Sequence, residues 1–281
     1  MNVTVPDSVD AAVAARAASP GATVLAGGTD LMVEVNDGRR RVDGIVAISR
    51  VRELHDVRVD GGDLVVGAAA TYSQLLGEPV ATAAPALAYA ARTVGSPQIR
   101  NAGTIGGNLA TASPAGDTLP VLLALGATID IAGADGRRAI PIHEFFTGPK
   151  RSVLQPGELV VAVRVPIRRG PQDYLKVGVR NAMVIAVASV AIAVDLDTRT
   201  MAVGLGSVGP TPIAAPAATA WAASRAQWRA DGLSLPPDDV EQFGARVANA
   251  ARPIDDHRST AEYRRHAVGV LASRALRRCV S

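Results

Sequence analysis

Leu25-Ala26-Gly27-Gly28-Thr29-Asp30-Leu31 and Asn101-Ala102-Gly103-Thr104-Ile105-Gly106-Gly107-Asn108 are the two stretches on which the fold reading turns. The first follows a strand-like run at 23–26 and precedes a short helical pattern through Val35, with Thr29 and Asp30 as candidate N-caps. Missing Cβ atoms let a backbone approach a ligand, and successive N–H groups at a helix start suit a diphosphate. An ordinary strand-to-helix turn also uses Gly-Gly, so this stretch alone decides nothing. The second adds three glycines with Thr and Asn side chains. Asp117 follows, placed either to accept from a ribose or ribityl hydroxyl or to cap a turn. Two such loops facing across a cleft can hold the central phosphates of a dinucleotide.

Around the first loop, residues 1–57 read as a small β-α-β-α-β layer, with strands at 3–5, 23–26 and 44–49 and a helix capped by Asp7 or Ser8. Residues 58–170 start afresh with a hairpin about Asp60-Gly61-Gly62, then helices at 80–92 and from Ser113-Pro114 to Gly126. A second hairpin about Ala134-Asp135-Gly136 and a strand at 159–165 close this part. Residues 171–281 change character: strands at 174–179, 183–195 and 200–206, then helices at 214–230, 238–250 and 259–278. Strands followed by helices imply an α+β organisation with an antiparallel sheet, not a doubly wound one.

The formal dinucleotide fingerprint lies elsewhere, at Gly204-Leu205-Gly206-Ser207-Val208-Gly209. Pro210 and Pro212 remove donors where a phosphate-binding helix would begin, so this is read as a strand leaving its sheet. Gly148-Pro149-Lys150 lacks the upstream glycine of a P-loop.

Composition excludes several classes. Lys+Arg 29 against Asp+Glu 26 is close to balance, and aromatics at 3% are too few for nucleic-acid stacking platforms. One cysteine, Cys279, allows no internal disulfide and cannot alone hold an iron–sulfur cluster. The four histidines are dispersed, so no metal site is expected. The N-terminal residues lack a basic segment, and the longest apolar run, 184–194, is too short to span a bilayer, which predicts a cytoplasmic protein.

Both glycine loops, together with Ser96-Pro97-Gln98-Ile99-Arg100-Asn101, Pro156-Gly157-Glu158-Leu159, Pro253-Ile254-Asp255-Asp256 and Ala261-Glu262-Tyr263-Arg264-Arg265, resemble the FAD-binding medium subunit of molybdenum hydroxylases, the carbon monoxide dehydrogenase flavoprotein and xanthine dehydrogenase family. The resemblance runs in order along essentially the whole chain. It implies a two-subdomain FAD-binding domain of the vanillyl-alcohol-oxidase-like (PCMH) type, 1–57 and 58–170, followed by a C-terminal α+β domain, 171–281. Positions matching the family's cofactor contacts are Leu25, Ala26, Gly27, Gly28, Thr29, Asp30, Leu31, Val94, Thr104, Ile105, Gly106, Gly107, Asn108, Asp117, Val160 and Lys176. Lys176 also stands out independently, as one of two lysines in an arginine-biased chain. Thr71 could face the flavin or cap a helix.

The resemblance further implies noncovalent FAD, since neither loop carries a histidine. Molybdopterin and two [2Fe–2S] clusters would sit in large and small partner subunits, in a dimer of heterotrimers. This chain would accept electrons from those clusters and pass them to an external acceptor, with no catalytic acid or base of its own. A stand-alone flavin oxidoreductase of related fold and a cofactor-free relative are the alternatives. Ala110-Thr111-Ala112-Ser113-Pro114 departs from the carbon monoxide branch towards the purine and aldehyde branches.

Overall fold

Parallel strands need crossover connections, and the first residues supply them with helices. β1 (Asn2–Thr4), α1 (Val9–Ala18), β2 (Ala22–Leu25), α2 (Leu31–Asn36) and β3 (Gly44–Ala47) build a three-stranded parallel sheet in the order β1-β3-β2. Ser8, not Asp7, caps α1: its hydroxyl accepts from the Ala11 amide at 3.2 Å. The computed structural model describes residues 2–280. Met1 and Ser281, the outer limits of the expected divisions, lie outside the described residues.

The second part is β4 (Val57–Asp60), β5 (Asp63–Gly67), α3 (Val80–Ala83), α4 (Pro85–Thr93), α5 (Pro97–Ala102), α6 (Ile105–Thr111), α7 (Leu119–Leu125), β6 (Thr128–Gly133), β7 (Gly136–Pro141), α8 (Ile142–Phe145), β8 (Phe146–Gly148), β9 (Arg151–Ser152) and β10 (Leu159–Pro166). Its five-stranded sheet is antiparallel throughout, in the order β4-β5-β10-β6-β7. The expected hairpin turn holds Gly61 and Gly62 at φ 58° and 91°, a region glycine enters without strain. Three expectations need correction. The helix over 80–92 is two, because Pro85 forces Ala84 out of helical geometry. The helix opened at Ser113-Pro114 begins only at Leu119, after a turn in which Ser113 Oγ accepts from the Ala115 amide. The loop over 101–108 is the junction of two helices, each with a hydroxyl cap: Ser96 for α5 and Thr104 for α6.

The third part is β11 (Gln172–Val177), β12 (Ala188–Asp195), β13 (Thr200–Gly206), β14 (Ile213–Ala214), α9 (Pro216–Arg225), β15 (Gln227–Trp228), β16 (Leu233–Ser234), α10 (Pro237–Ala250) and α11 (Ala261–Cys279). β11-β12-β13-β14 form an antiparallel sheet. The strand expected from 183 starts at Ala188, and the helix expected to reach 230 ends at Arg225 in a small hairpin.

β12 is buried at every residue because both of its faces are covered. Strand alternation divides the work: Ala191 and Ala193 join the N-terminal core, where α4 and α7 lie, while Val190, Ile192 and Val194 join the C-terminal core under α11. Small residues on one face let the helices of the second part come close. Gly204 and Gly206 belong to that contact, since Cβ atoms there would stand 1.9 Å from the Pro120 carbonyl oxygen and 2.4 Å from Ser189 Oγ. The fingerprint-like run is therefore a packing seam. Behind the sheet, buried Arg264 donates to the Val187 and Ser207 carbonyls at 3.0 and 2.8 Å and pairs with Asp256 at 2.6 Å. That clamp gives the Pro253–Arg265 motif residues a physical role in tying α11 to two strand ends.

Candidate functional site: the cleft between the glycine segments

A cavity of about 610 Å³ opens where the end of β2 meets α6 and β10, within the roughly 300–1,000 Å³ typical of ligand pockets. Leu25 to Leu31, Thr104, Gly106, Gly107, Asn108 and Val160 all line it. Val160 does so at an irregularity in the β10–β6 register. The cleft lies beyond the carboxyl end of a parallel strand, where open α/β layers usually bind ligands.

The amides of Gly27, Gly28, Thr29 and Asp30 donate no hydrogen bond among the described residues. Gly28 sits at φ +71°, the turn that interrupts the strand and leaves these amides in a row. Gly27, Gly28 and Thr29 are half-buried, and amides there without partners cost free energy unless something accepts from them. α2 has only six residues, so what this turn offers an anion is the amides themselves, with little helix dipole.

The second segment is arranged differently. Ile105 and Gly106 donate to the Ala70 and Ala68 carbonyls at 3.1 and 2.9 Å, and Gly107 donates to Thr104 Oγ1 at 3.0 Å. Its first amides are thus engaged within the protein. Its glycines permit contact: a Cβ on Gly106 would stand 2.6 Å from Ala68, and one on Gly103 would stand 2.9 Å from the Tyr72 ring. The two segments also touch, since a Cβ on Gly27 would fall 1.7 Å from the Ala102 carbonyl oxygen. Asn108 accepts from Thr118 Oγ1 at 2.6 Å, which fixes its amide.

Val94, Ile105, Asp117 and Lys176 do not line this cavity. Ile105 is wholly buried in the core, and Val94 ends α4 with its carbonyl accepting from Arg100. Asp117 and Lys176 form a buried ion pair at 2.7 Å. Lys176 Nζ also donates to the Thr93 and Val184 carbonyls, and Tyr174 OH donates to Asp117 Oδ1 at 2.9 Å. Burial pushes the Asp117 carboxyl up, against the pull of Lys176, Tyr174 and Thr93. Asp117 therefore neither caps a turn nor stands free. Thr71 exchanges hydrogen bonds with Gln74 at the start of a helical turn, the simpler of its two readings.

Sequence reasoning missed Tyr72, Glu34, Lys150 and Glu158, all on the cavity wall. Lys150 and Glu34 come from opposite sides of the cleft and pair at 3.1 Å, and Lys150 holds the Glu34 carboxyl below its usual range. Glu158, braced by Arg138 through two 2.7 Å hydrogen bonds, is likewise held low. Glu158 stands within the Pro156–Leu159 motif and Tyr72 beside Thr71, but their place on the wall depends on partners from far along the chain that meet only in the fold.

The family described as the FAD binding domain in molybdopterin dehydrogenase matches residues 1–168, and the CO dehydrogenase flavoprotein C-terminal domain matches 173–279. The chain belongs to this flavoprotein family. The flavoprotein is 32% identical to the glyceraldehyde dehydrogenase medium chain of Sulfolobus acidocaldarius, over 90% of this chain and 89% of that one. It is 28% identical to the xanthine dehydrogenase FAD-binding subunit of Escherichia coli O157:H7, over 94% and 90%. The carbon monoxide dehydrogenase structure from Hydrogenophaga pseudoflava superposes with a TM-score of 0.89 at 29% identity, covering 99% of this chain and 96% of that one. The flavoprotein is thus an FAD-binding oxidoreductase subunit of the molybdenum hydroxylase type, and the amide row and the cavity size fit its cofactor. No described helix is long and apolar enough to cross a membrane.

Proposed function

We propose that this flavoprotein is a cytoplasmic electron relay. It would take electrons from [2Fe–2S] clusters of a small partner subunit, supplied in turn by a molybdopterin subunit, and release them to an external acceptor. Bound FAD supplies the redox chemistry; the chain supplies position and electrostatics. The single observation that carries this reading is the row of unpartnered amides from Gly27 to Asp30 on a cavity of FAD-compatible size. Those amides would donate to the diphosphate oxygens, and Asn108, Gly106 and Gly107 would form the facing wall. Among the described residues no histidine or cysteine lines the cavity, which supports a noncovalent cofactor.

Asp117, Lys176 and Val94 would act on the cofactor from just beyond the wall, with the buried ion pair setting the local potential. The relatives' printed names differ in substrate, from glyceraldehyde to xanthine. That supports substrate choice in the molybdopterin subunit. The test is reconstitution of the full chain with FAD, followed by co-purification from its native host. One FAD per chain and associated molybdenum and iron–sulfur subunits are expected. A purified chain that turns over an organic substrate alone would favour the stand-alone oxidoreductase.

A further inference from the structure

Most polar side chains on the cavity wall already have a partner in the protein. Thr104 accepts from Gly107, Asn108 from Thr118, Lys150 binds Glu34, Glu158 binds Arg138, and Thr111 reaches Asp30 at 3.5 Å. Tyr72 differs. Its residue surface is only 6% exposed, yet its hydroxyl makes no hydrogen bond among the described residues. The ring is fixed: the Tyr72 amide donates to the Gly103 carbonyl at 3.0 Å, and the absence of a side chain at Gly103 leaves the space the ring fills. Tyr72 lines the cavity and its hydroxyl is not sealed off by the protein, so it is free to donate to a ligand there.

Its neighbours say which part of the ligand. Tyr72 experiences the charges of both Asp30, at the amide row, and Asp117, in the buried ion pair. Its backbone bond to Gly103 sets it beside the start of α6, on the cavity wall and within electrostatic reach of both the amide row and Asp117. Burial, reinforced by those two carboxylates, raises the phenol far above its ordinary value, so the hydroxyl stays protonated and can donate.

We propose that Tyr72 is a further cofactor-binding residue, whose hydroxyl donates to an oxygen of FAD in the ribityl segment between diphosphate and flavin ring. This rests on the FAD reading of the cavity. Adenosine diphosphate shares the diphosphate and adenosine of FAD but lacks the ribityl segment, so the pair of ligands locates the contact.

The experiment titrates the apo form of the full chain with FAD and with ADP, for the parent and Tyr72→Phe. Loss of one hydrogen bond should raise the FAD Kd about tenfold and leave the ADP Kd within about twofold. The variant should also alter the visible circular dichroism of bound flavin. An FAD Kd unchanged in Tyr72→Phe, or equal weakening of FAD and ADP, overturns the proposal. In a chain carrying 3-fluorotyrosine at position 72, which keeps the native shape, the fluorine resonance should move on adding FAD and stay on adding ADP; a resonance indifferent to FAD also overturns it. A parent chain that binds no FAD at all instead refutes the functional reading on which the proposal stands.

Discussion

Two glycine segments that look alike in the sequence do opposite things in the fold. Gly27 to Asp30 leave their amides unpartnered beside the cavity, whereas Ile105 to Gly107 direct theirs to Ala70, Ala68 and Thr104. The absent side chains admit a neighbouring backbone in both, Ala102 at Gly27 and Ala68 at Gly106, so the segments differ in their amides and not in their packing. The third run, Gly204 to Gly209, matches the dinucleotide pattern by letter, yet Gly204 and Gly206 seat α7 on the C-terminal sheet. What separates the three is the destination of the amides, which is a property of the fold.

Breaking the contact between the segments should have the largest effect. Gly27→Val cannot be placed without moving the Ala102 carbonyl, so both walls of the cleft shift. Flavin absorbance per chain should fall below about a tenth of the parent value, because the amide row loses its alignment. Retention of full flavin would show that the row is not the cradle.

Gly106→Ala should cost the apo chain about 1–3 kcal/mol in urea unfolding, because its Cβ meets Ala68 at 2.6 Å. Gly107→Ala, whose Cβ would meet only Thr104 Oγ1 at 3.0 Å, should cost less. Equal costs would blur the difference between a packing glycine and a wall glycine.

Gly206→Ala should lower the thermal midpoint through its clash with Ser189 Oγ while FAD per chain stays unchanged. Flavin loss in a folded variant would return the third run to the cofactor site.

The smallest effect is in pH. Backbone amides do not titrate near neutrality, so FAD retention should be flat across neutral pH. Stability should instead decline in acid. Arg138 holds Glu158 low, and at Asp256 the Arg258 and Ser259 amides and Arg264 outweigh burial and lower that carboxyl too. A carboxylate depressed in the folded state stabilises above its unfolded pKa, and that stability is lost as pH falls below about 4. Asp117, pushed up by burial, works the other way and partly offsets the loss. Chemical unfolding at neutral and acid pH checks the sign.

Much of the architecture was legible because local rules govern it. Glycine turns at 61–62, the capped α1, the antiparallel hairpins and the two long C-terminal helices follow from period and punctuation. The single helix expected over 80–92 fails at Pro85, a signal present in the sequence but outweighed by the alanine-rich run around it. The junction at 101–108 reads as a loop because three glycines hide two hydroxyl caps, Ser96 and Thr104. Thr104 could have been found as an N-cap; the contact with Ala68 that makes α6 worth its glycines could not.

The sequence by itself determined the α+β class, most of the strands, the two places where backbone comes close to something, and the family, since these depend on residue type at short range. Only the tertiary structure decided which glycines face a ligand, that Asp117 and Lys176 neutralise each other behind the wall, and that Tyr72 is left without a partner. The reason is that hydrogen-bond satisfaction is a balance over the whole molecule. An amide or hydroxyl is free or engaged according to groups that chain folding brings from far along the sequence.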